Sequence, residues 1–138
     1  TSSKHVRAML SINNDLERIG DIFFQMSKSI ERKDSERIWF TPEQRNNLLQ
    51  LFDLVDRAFS VMNENLEREF LKGDLQKAIA CEERINAKRN ELRAEHLENI
   101  EHQEYNVKSG MIYSDLFSSL EKIGDHIINV SEAVSGKM

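Results

Sequence analysis

The sequence predicts an all-α protein, folded as an elongated antiparallel up-down bundle of four helices. Apolar residues recur at alternating intervals of three and four along four long segments, as they do on the buried face of a helix. The chain has a single proline, and three of its five glycines fall between or after these segments. The connections are short, so neighbouring helices should be antiparallel. With 138 residues, 39% of them hydrophobic, residues 1–138 are expected to form one domain.

The first two helices are predicted by their apolar stripes and by one clear start signal. Thr41, Pro42 and Gln44 read as an N-cap, a first-turn proline and a capping-box partner, so the second helix should begin there. The stripe of the first helix is Met9, Ile12, Leu16, Ile19, Phe23, Met26 and Ile30. The stripe of the second is Leu48, Phe52, Val55, Phe59, Met62, Leu66 and Phe70.

The third helix, from about Asp74 to Gln103, has a less regular pattern than the fourth. Glu82, Arg89 and His96 stand at steps where apolar residues are expected, so the buried side of this helix is predicted to be partly polar. Gly110 lies in a polar stretch that should separate the last two helices. The stripe of the fourth helix is Ile112, Leu116, Leu120, Ile123, Ile127, Val130 and Val134.

One pentapeptide occurs twice, as Glu-Arg-Ile-Gly-Asp at 17–21 and Glu-Lys-Ile-Gly-Asp at 121–125. Each copy places a glutamate and an aspartate one helical turn apart, where like charges repel by a few tenths of a kcal/mol. Each also has a glycine inside a helix, which costs about 1 kcal/mol relative to alanine. The same two unfavourable features at matching positions indicate a functional role. With the flanking leucine and isoleucine in the seam, both copies are expected to direct their acids and glycine outward.

Carboxylates on one helical face predict a metal site, because such oxygen ligands suit magnesium, calcium, manganese or iron. The candidate ligands are the paired acids of the motif and Glu82, the acid at a seam position of the third helix. Asn86 and His126 are weaker candidates. A set of solvated acids on helix surfaces is the alternative reading. The first-choice ligands are Glu121, Asp125, Glu17, Asp21 and Glu82.

Composition and the absence of motifs exclude several other functions. The net charge of −5, with both signs interspersed, argues against a nucleic-acid partner. A single cysteine, Cys81, favours a reducing compartment, and no apolar run approaches the roughly 20 residues of a membrane span. No nucleophile elbow or phosphate-binding glycine loop is present, and no Glu-x-x-His pair marks a di-iron site. The chain is therefore predicted not to be an enzyme.

The two motifs, Leu-Glu-Arg-Ile-Gly-Asp and Leu-Glu-Lys-Ile-Gly-Asp-His, resemble the signature of the PhoU family of helical regulators of phosphate uptake. The resemblance implies three-helix repeats with the motif in the last helix of each. Residues 3–33 would then be the last helix of a first repeat, and residues 42–135 a complete second repeat. Segments 78–86 and 105–110 are more similar to the PhoU-like C-terminal domain of bacterial sodium-dependent phosphate cotransporters.

The resemblance also implies a function, a cofactor and partners. It implies regulation of phosphate uptake by a cytoplasmic domain tethered to the inner face of the membrane, in one chain with the transporter membrane domain. Metal ions, in particular a multinuclear iron cluster, would be the cofactor, and inorganic phosphate could bind through the metal. Without its first two helices, the first repeat would have an incomplete site at Glu17 and Asp21. The oligomeric state stays open, a homo-oligomer included.

Two alternatives to this function are kept. The chain could be a metal-free helical docking module, with Trp39 and Phe40 before the second helix as its anchor. It could also be a truncated stand-alone regulator of the PhoU type.

Overall fold

The described residues fold as four helices, and the predicted all-α class is confirmed. The computed structural model describes residues 2–67, 72–101 and 106–136. Phe70, the last residue of the predicted α2 stripe, and Gln103, the predicted end of the third helix, lie outside these residues. The helices are α1 (Ser2–Ser35), α2 (Pro42–Glu67), α3 (Lys72–Glu101) and α4 (Val107–Val134).

The start of α2 confirms the predicted capping box. The backbone N–H of Gln44 donates to Oγ1 of Thr41 at 3.1 Å, and the Thr41 N–H donates to Oε1 of Gln44 at 2.9 Å. These reciprocal bonds satisfy two donors that the first turn of a helix would leave without partners. The turn from α1 into α2 contains Arg37, which has a positive φ of 56°.

The start of α4 differs from the prediction. The side chain of Asn106 accepts hydrogen bonds from the backbone of Lys108 and Ser109, so the helix begins at Val107. Gly110 is a buried first-turn residue, and its expected place between two helices is wrong. The helix starts after Asn106 and not after Gly110, because the Asn106 side chain accepts hydrogen bonds from the first free N–H groups of the helix.

The α4 helix is the centre of the fold, since it packs against each of the other three helices. The α2, α3 and α4 helices all contact one another, whereas α1 packs along α4. Hydrogen bonds from Asn47 to Tyr113 and from Asn65 to Ser131 show that α2 and α4 run parallel. Arg89 pairs with Glu121, while His96, further along α3, lies beside the earlier Tyr113, so α3 and α4 are antiparallel.

This arrangement buries the apolar stripes unequally. The predicted α4 stripe is buried throughout, and Leu120 and Ile123 are completely inaccessible. In α1, Ile19 and Met26 are buried against α4, but Leu16 is 38% and Met9 55% exposed. The expectation that the whole α1 stripe is a core seam is therefore wrong for part of its length, because α1 has one helix along it where α4 has three.

The polar side of α3 faces α4, as the irregular pattern predicted. His96 is 6% exposed and lies edge-on to the rings of Tyr113 and Phe117, each with its centroid 5.8 Å away. Burial lowers the pKa of His96, because an apolar site disfavours the charged imidazolium. Arg89 reaches the first acid of the second motif.

Candidate metal site

The candidate site lies where Gly124, the glycine of the second motif on α4, packs against α3. A Cβ atom placed on Gly124 would be 3.1 Å from Cδ1 and 3.2 Å from Cγ2 of Ile85. Ile85 is itself completely buried, so it has little room to move. A glycine at this position lets the two backbones come together, and the acids on either side of it are brought up to α3.

The two acids of the second motif are partly buried and interact with each other. The Glu121 side chain is 17% exposed, and its Oε1 lies 3.3 Å from Nη2 of Arg89. Burial raises the pKa of Glu121, and the charge of Asp125 raises it further, together with a hydrogen bond between the two carboxyl groups. Arg89 lowers the pKa of Glu121, but it does not outweigh these effects.

A third acid comes from α3. Glu82 is half-buried, and its pKa is raised first by burial and then by the charges of Asp125, Glu132 and Glu121. Four carboxylates from two helices therefore act on one another electrostatically. We call Glu82, Glu121, Asp125 and Glu132 the acidic face.

The chemistry of the acidic face fits a hard cation. Burial first, and then the neighbouring negative charges, raise the pKa values of Glu82 and Glu121, and a cation among the carboxylate oxygens would offset both effects. Within the described residues, however, no three acid, histidine or cysteine side chains are already arranged to hold one ion. Metal binding at this face would require the carboxylates to move together, and Arg89 to release Glu121.

The acids of the first motif have a different environment. Glu17 and Asp21 are exposed, and a Cβ atom on Gly20 would meet nothing within 4 Å. These acids stand two positions from the buried Ile19, which is about 200° around the helix, so they point away from α4. The outward direction predicted for both copies is thus found in α1 and is wrong in α4. The reason is that α4 is flanked by other helices on the side where its acids project.

The two weaker candidates, Asn86 and His126, lie in different places: Asn86 is near Glu82 on α3, and His126 faces α1. Asn86 is half-buried one helical turn after Glu82. His126 is turned toward α1, where its Nδ1 lies 2.8 Å from Oδ1 of Asp15, a buried residue. Asn129 donates a second hydrogen bond to the same carboxylate at 3.3 Å.

Sequence reasoning missed three of these residues. Glu132 lies seven residues after Asp125, two turns along the same face of α4, and this spacing could have revealed it. Asp15 stands one turn before Ile19 on the side of α1 that faces α4, where a charged residue is unusual. In the sequence Arg89 is visible only as an interruption of the seam, because its partner is 32 positions away.

The fold is an all-α bundle centred on α4, which carries the second copy of the acidic motif. The PhoU domain model matches residues 43–134, two thirds of the chain, and the chain belongs to the PhoU family. This family is regulatory and non-catalytic, and its domain indicates a role in phosphate uptake. No curated protein and no solved structure matches the chain.

The matched residues contain α2 beyond its first position, all of α3 and all of α4. The second motif and the whole acidic face therefore fall inside the family match, while the first motif precedes it. Across the described parts of the chain, no helix has the length and apolar character needed to span a bilayer.

Proposed function

We propose that this chain is a regulatory domain for phosphate uptake that binds metal ions at the acidic face. The observation that carries the proposal is the close contact of Gly124 with Ile85, which brings Glu82 of α3 toward the paired acids of α4. The ion pair of Glu121 with Arg89 compensates only part of the repulsion among these partly buried acids. A bound cation would offset the rest.

Glu82, Glu121 and Asp125 would hold the metal, with Glu132 and Asn86 at its margin. Their oxygen atoms suit magnesium, manganese, calcium or iron, and several neighbouring carboxylates would also suit a multinuclear iron cluster. A bound metal would supply positive charge and open coordination positions for a phosphate oxygen. Glu17 and Asp21 are proposed as part of a second site, which their exposure leaves without ligands from another described helix.

The partner that we propose is the membrane domain of a sodium-dependent phosphate transporter, in the same chain, with this domain at the cytoplasmic face of the membrane. The family assignment supports regulation of phosphate uptake. The narrower link to a transporter rests on the resemblance of residues 78–86 and 105–110. A stand-alone regulator is the alternative within the family.

The metal proposal is tested by elemental analysis of protein purified without chelator. We expect bound metal in the wild type and at least about tenfold less in Glu121→Ala with Asp125→Ala, since each lost charged ligand removes more than 1 kcal/mol of binding. Glu17→Ala with Asp21→Ala is the matched control, because it removes the same side chains from α1. It should retain metal at the acidic face. A metal-free wild type, or equal metal in both double variants, would contradict the proposal.

The regulatory proposal needs a separate measurement in cells. Glu121→Ala with Asp125→Ala in the full-length gene product should alter the rate of radiolabelled phosphate uptake at equal protein abundance. The Glu17 and Asp21 variant should have the smaller effect. Identical uptake by the wild type and both variants would argue against regulation by the acidic face.

A second candidate function, a helical docking module, is favoured by the exposed side of α1. Leu16, Phe23 and Ile30 are each between 37% and 40% exposed, and Phe24 is 62% exposed. The two residues of the predicted loop anchor have different surroundings: Trp39 is 74% exposed, whereas Phe40 packs against Tyr113. Hydrogen exchange with and without the transporter would show protection along α1 if docking occurs there.

A further inference from the structure

The groove between α2 and α3 carries a concentration of positive charge that the acidic face does not explain. It has a volume of about 350 Å³, at the lower end of the range for small-molecule pockets, about 300–1,000 Å³. Three basic side chains and one acidic side chain line it, which gives a net charge of +2. The chain as a whole carries −5. Positive charge is therefore locally concentrated in an otherwise acidic protein.

Each helix contributes one regular stripe to this groove. The α2 residues are 57, 60, 61 and 64, and the α3 residues are 77, 80, 81 and 84. Both sets follow the spacing i, i+3, i+4, i+7, which is two turns of one helical face. The short connection between the helices makes them antiparallel, so Arg57 lies across from Arg84 and Glu64 across from Lys77. Arg57 and Arg84 therefore line the same end of the groove.

Within the part of the chain that the structure describes, the three cations of the groove have no partner of opposite charge. Among the described residues, no carboxylate lies within ion-pairing distance of Arg57, Lys77 or Arg84, although Glu64 lines the same groove. Elsewhere on α3, Lys88 and Arg89 both pair with acids. Like charges on facing helices repel each other, and an anion between them would relieve that repulsion.

The chemistry of the Arg57 end selects the anion. Guanidinium groups bind tetrahedral oxyanions through paired hydrogen bonds, and two of them can hold one phosphate from opposite sides. The exposed hydroxyl of Ser60 lies one turn along α2 from Arg57 and can donate a further hydrogen bond. The floor of the groove, formed by Val61 and Cys81, is buried and apolar, which strengthens charge interactions above it.

From this arrangement we infer that the α2–α3 groove is a binding site for a phosphate group, held between Arg57 and Arg84, with Ser60 as a further donor. The site accepts the dianion without a metal ion. It is distinct from the acidic face, which lies between α3 and α4. The phosphate group could belong to free inorganic phosphate or to the phosphomonoester headgroup of a membrane lipid.

The test is a titration of the chain with inorganic phosphate, followed by the amide resonances of α2 and α3, in chelator and at constant ionic strength. We expect saturable shifts in the wild type. Arg57→Gln and Arg84→Gln should each weaken binding by about tenfold or more, because a charge-assisted hydrogen bond is lost. Glu64→Gln should strengthen it by about twofold, since a nearby negative charge is removed.

Arg93→Gln on α3 and Arg45→Gln on α2 are the matched controls. They make the same change of charge on the same helices, outside the groove. Both should bind phosphate within about twofold of the wild type. Equal weakening by the groove and control variants would overturn the inference in favour of general charge attraction. All four positions are exposed, and circular dichroism would verify that each variant folds.

Vesicles distinguish the two sources of the phosphate group. The chain is sedimented with phosphatidylcholine vesicles that contain or lack phosphatidic acid. Arg57-dependent binding to either inorganic phosphate or phosphatidic acid supports the site and identifies its source. Binding to neither probe overturns the inference. Because chelator is present throughout, this result is independent of the metal content that tests the acidic face.

Discussion

The two copies of the motif have nearly the same sequence, yet they stand in different surroundings. In α4, Gly124 is buried against Ile85, and Leu120 is inaccessible to solvent. In α1, Gly20 has nothing within 4 Å of its Cβ position, and Leu16 is 38% exposed. The difference shows that the motif does not determine its own burial. The number of neighbouring helices decides whether its acids become a buried, interacting pair or remain solvated.

The largest expected difference in stability between the two copies comes from substituting their matched leucines, Leu120 and Leu16. Leu120→Ala should destabilise the protein by about 3 kcal/mol, because it removes a fully buried side chain and leaves a cavity. Leu16→Ala should cost less than about 1 kcal/mol, since much of that side chain is already in water. Urea denaturation would measure both. Similar losses would mean that another molecule or segment covers Leu16 in solution.

The matched glycines should respond in opposite directions. Gly124→Val should destabilise the protein by about 2 kcal/mol, because the added atoms would overlap the side chain of Ile85. Gly20→Ala should stabilise it by up to about 1 kcal/mol, since alanine favours the helix and meets no other atom. Thermal unfolding would detect both. Destabilisation by Gly20→Ala would show that a close neighbour is present at this site too.

The attachment of α1 to α4 depends in part on Asp15. Asp15→Ala should cost about 1 kcal/mol, because it removes a buried acceptor that serves both His126 and Asn129. Amide hydrogen exchange should accelerate in α1 before it does in α2. Asn14→Ala, at an exposed neighbouring position, is the control and should leave exchange unchanged.

The smallest expected difference in stability is between substitutions of the matched glutamates, Glu121 and Glu17, and it depends on pH. Because the pKa of Glu121 is raised in the folded protein, its ionisation opposes folding once the pH exceeds the unfolded value, about 4.3. Glu121→Gln should therefore stabilise the metal-free protein at pH 7, by about 0.5 kcal/mol after solvent screening, and the gain should vanish near pH 4. Glu17→Gln, at an exposed position, should have almost no effect. Chemical denaturation at several pH values would measure both. A destabilised Glu121 variant at pH 7 would mean that its ion pair with Arg89 outweighs the repulsion.

The sequence was sufficient for the helices and for the identity of the motif, but not for the way the helices surround it. The capping box at Thr41 and the α4 stripe are local patterns, and both were predicted correctly. Heptad positions assigned from one seam could not show that Gly124 meets Ile85, because that contact depends on where a third helix packs. Glu132 and Arg89 were missed for the same reason, because each acts on an acid of another helix: Glu132 on Glu82, and Arg89 on Glu121. Whether these residues bind metal stays a prediction.

The central position of α4 also has a consequence for the order in which the protein can fold during synthesis. Asp15 of α1 and its partner His126 are separated by 111 positions, so the ribosome needs on the order of ten seconds to produce the second after the first. During that interval α1 has no α4 to cover Ile19 and Met26, although α2 and α3 can already pair. The nascent chain therefore exposes the apolar side of α1 until its last helix emerges.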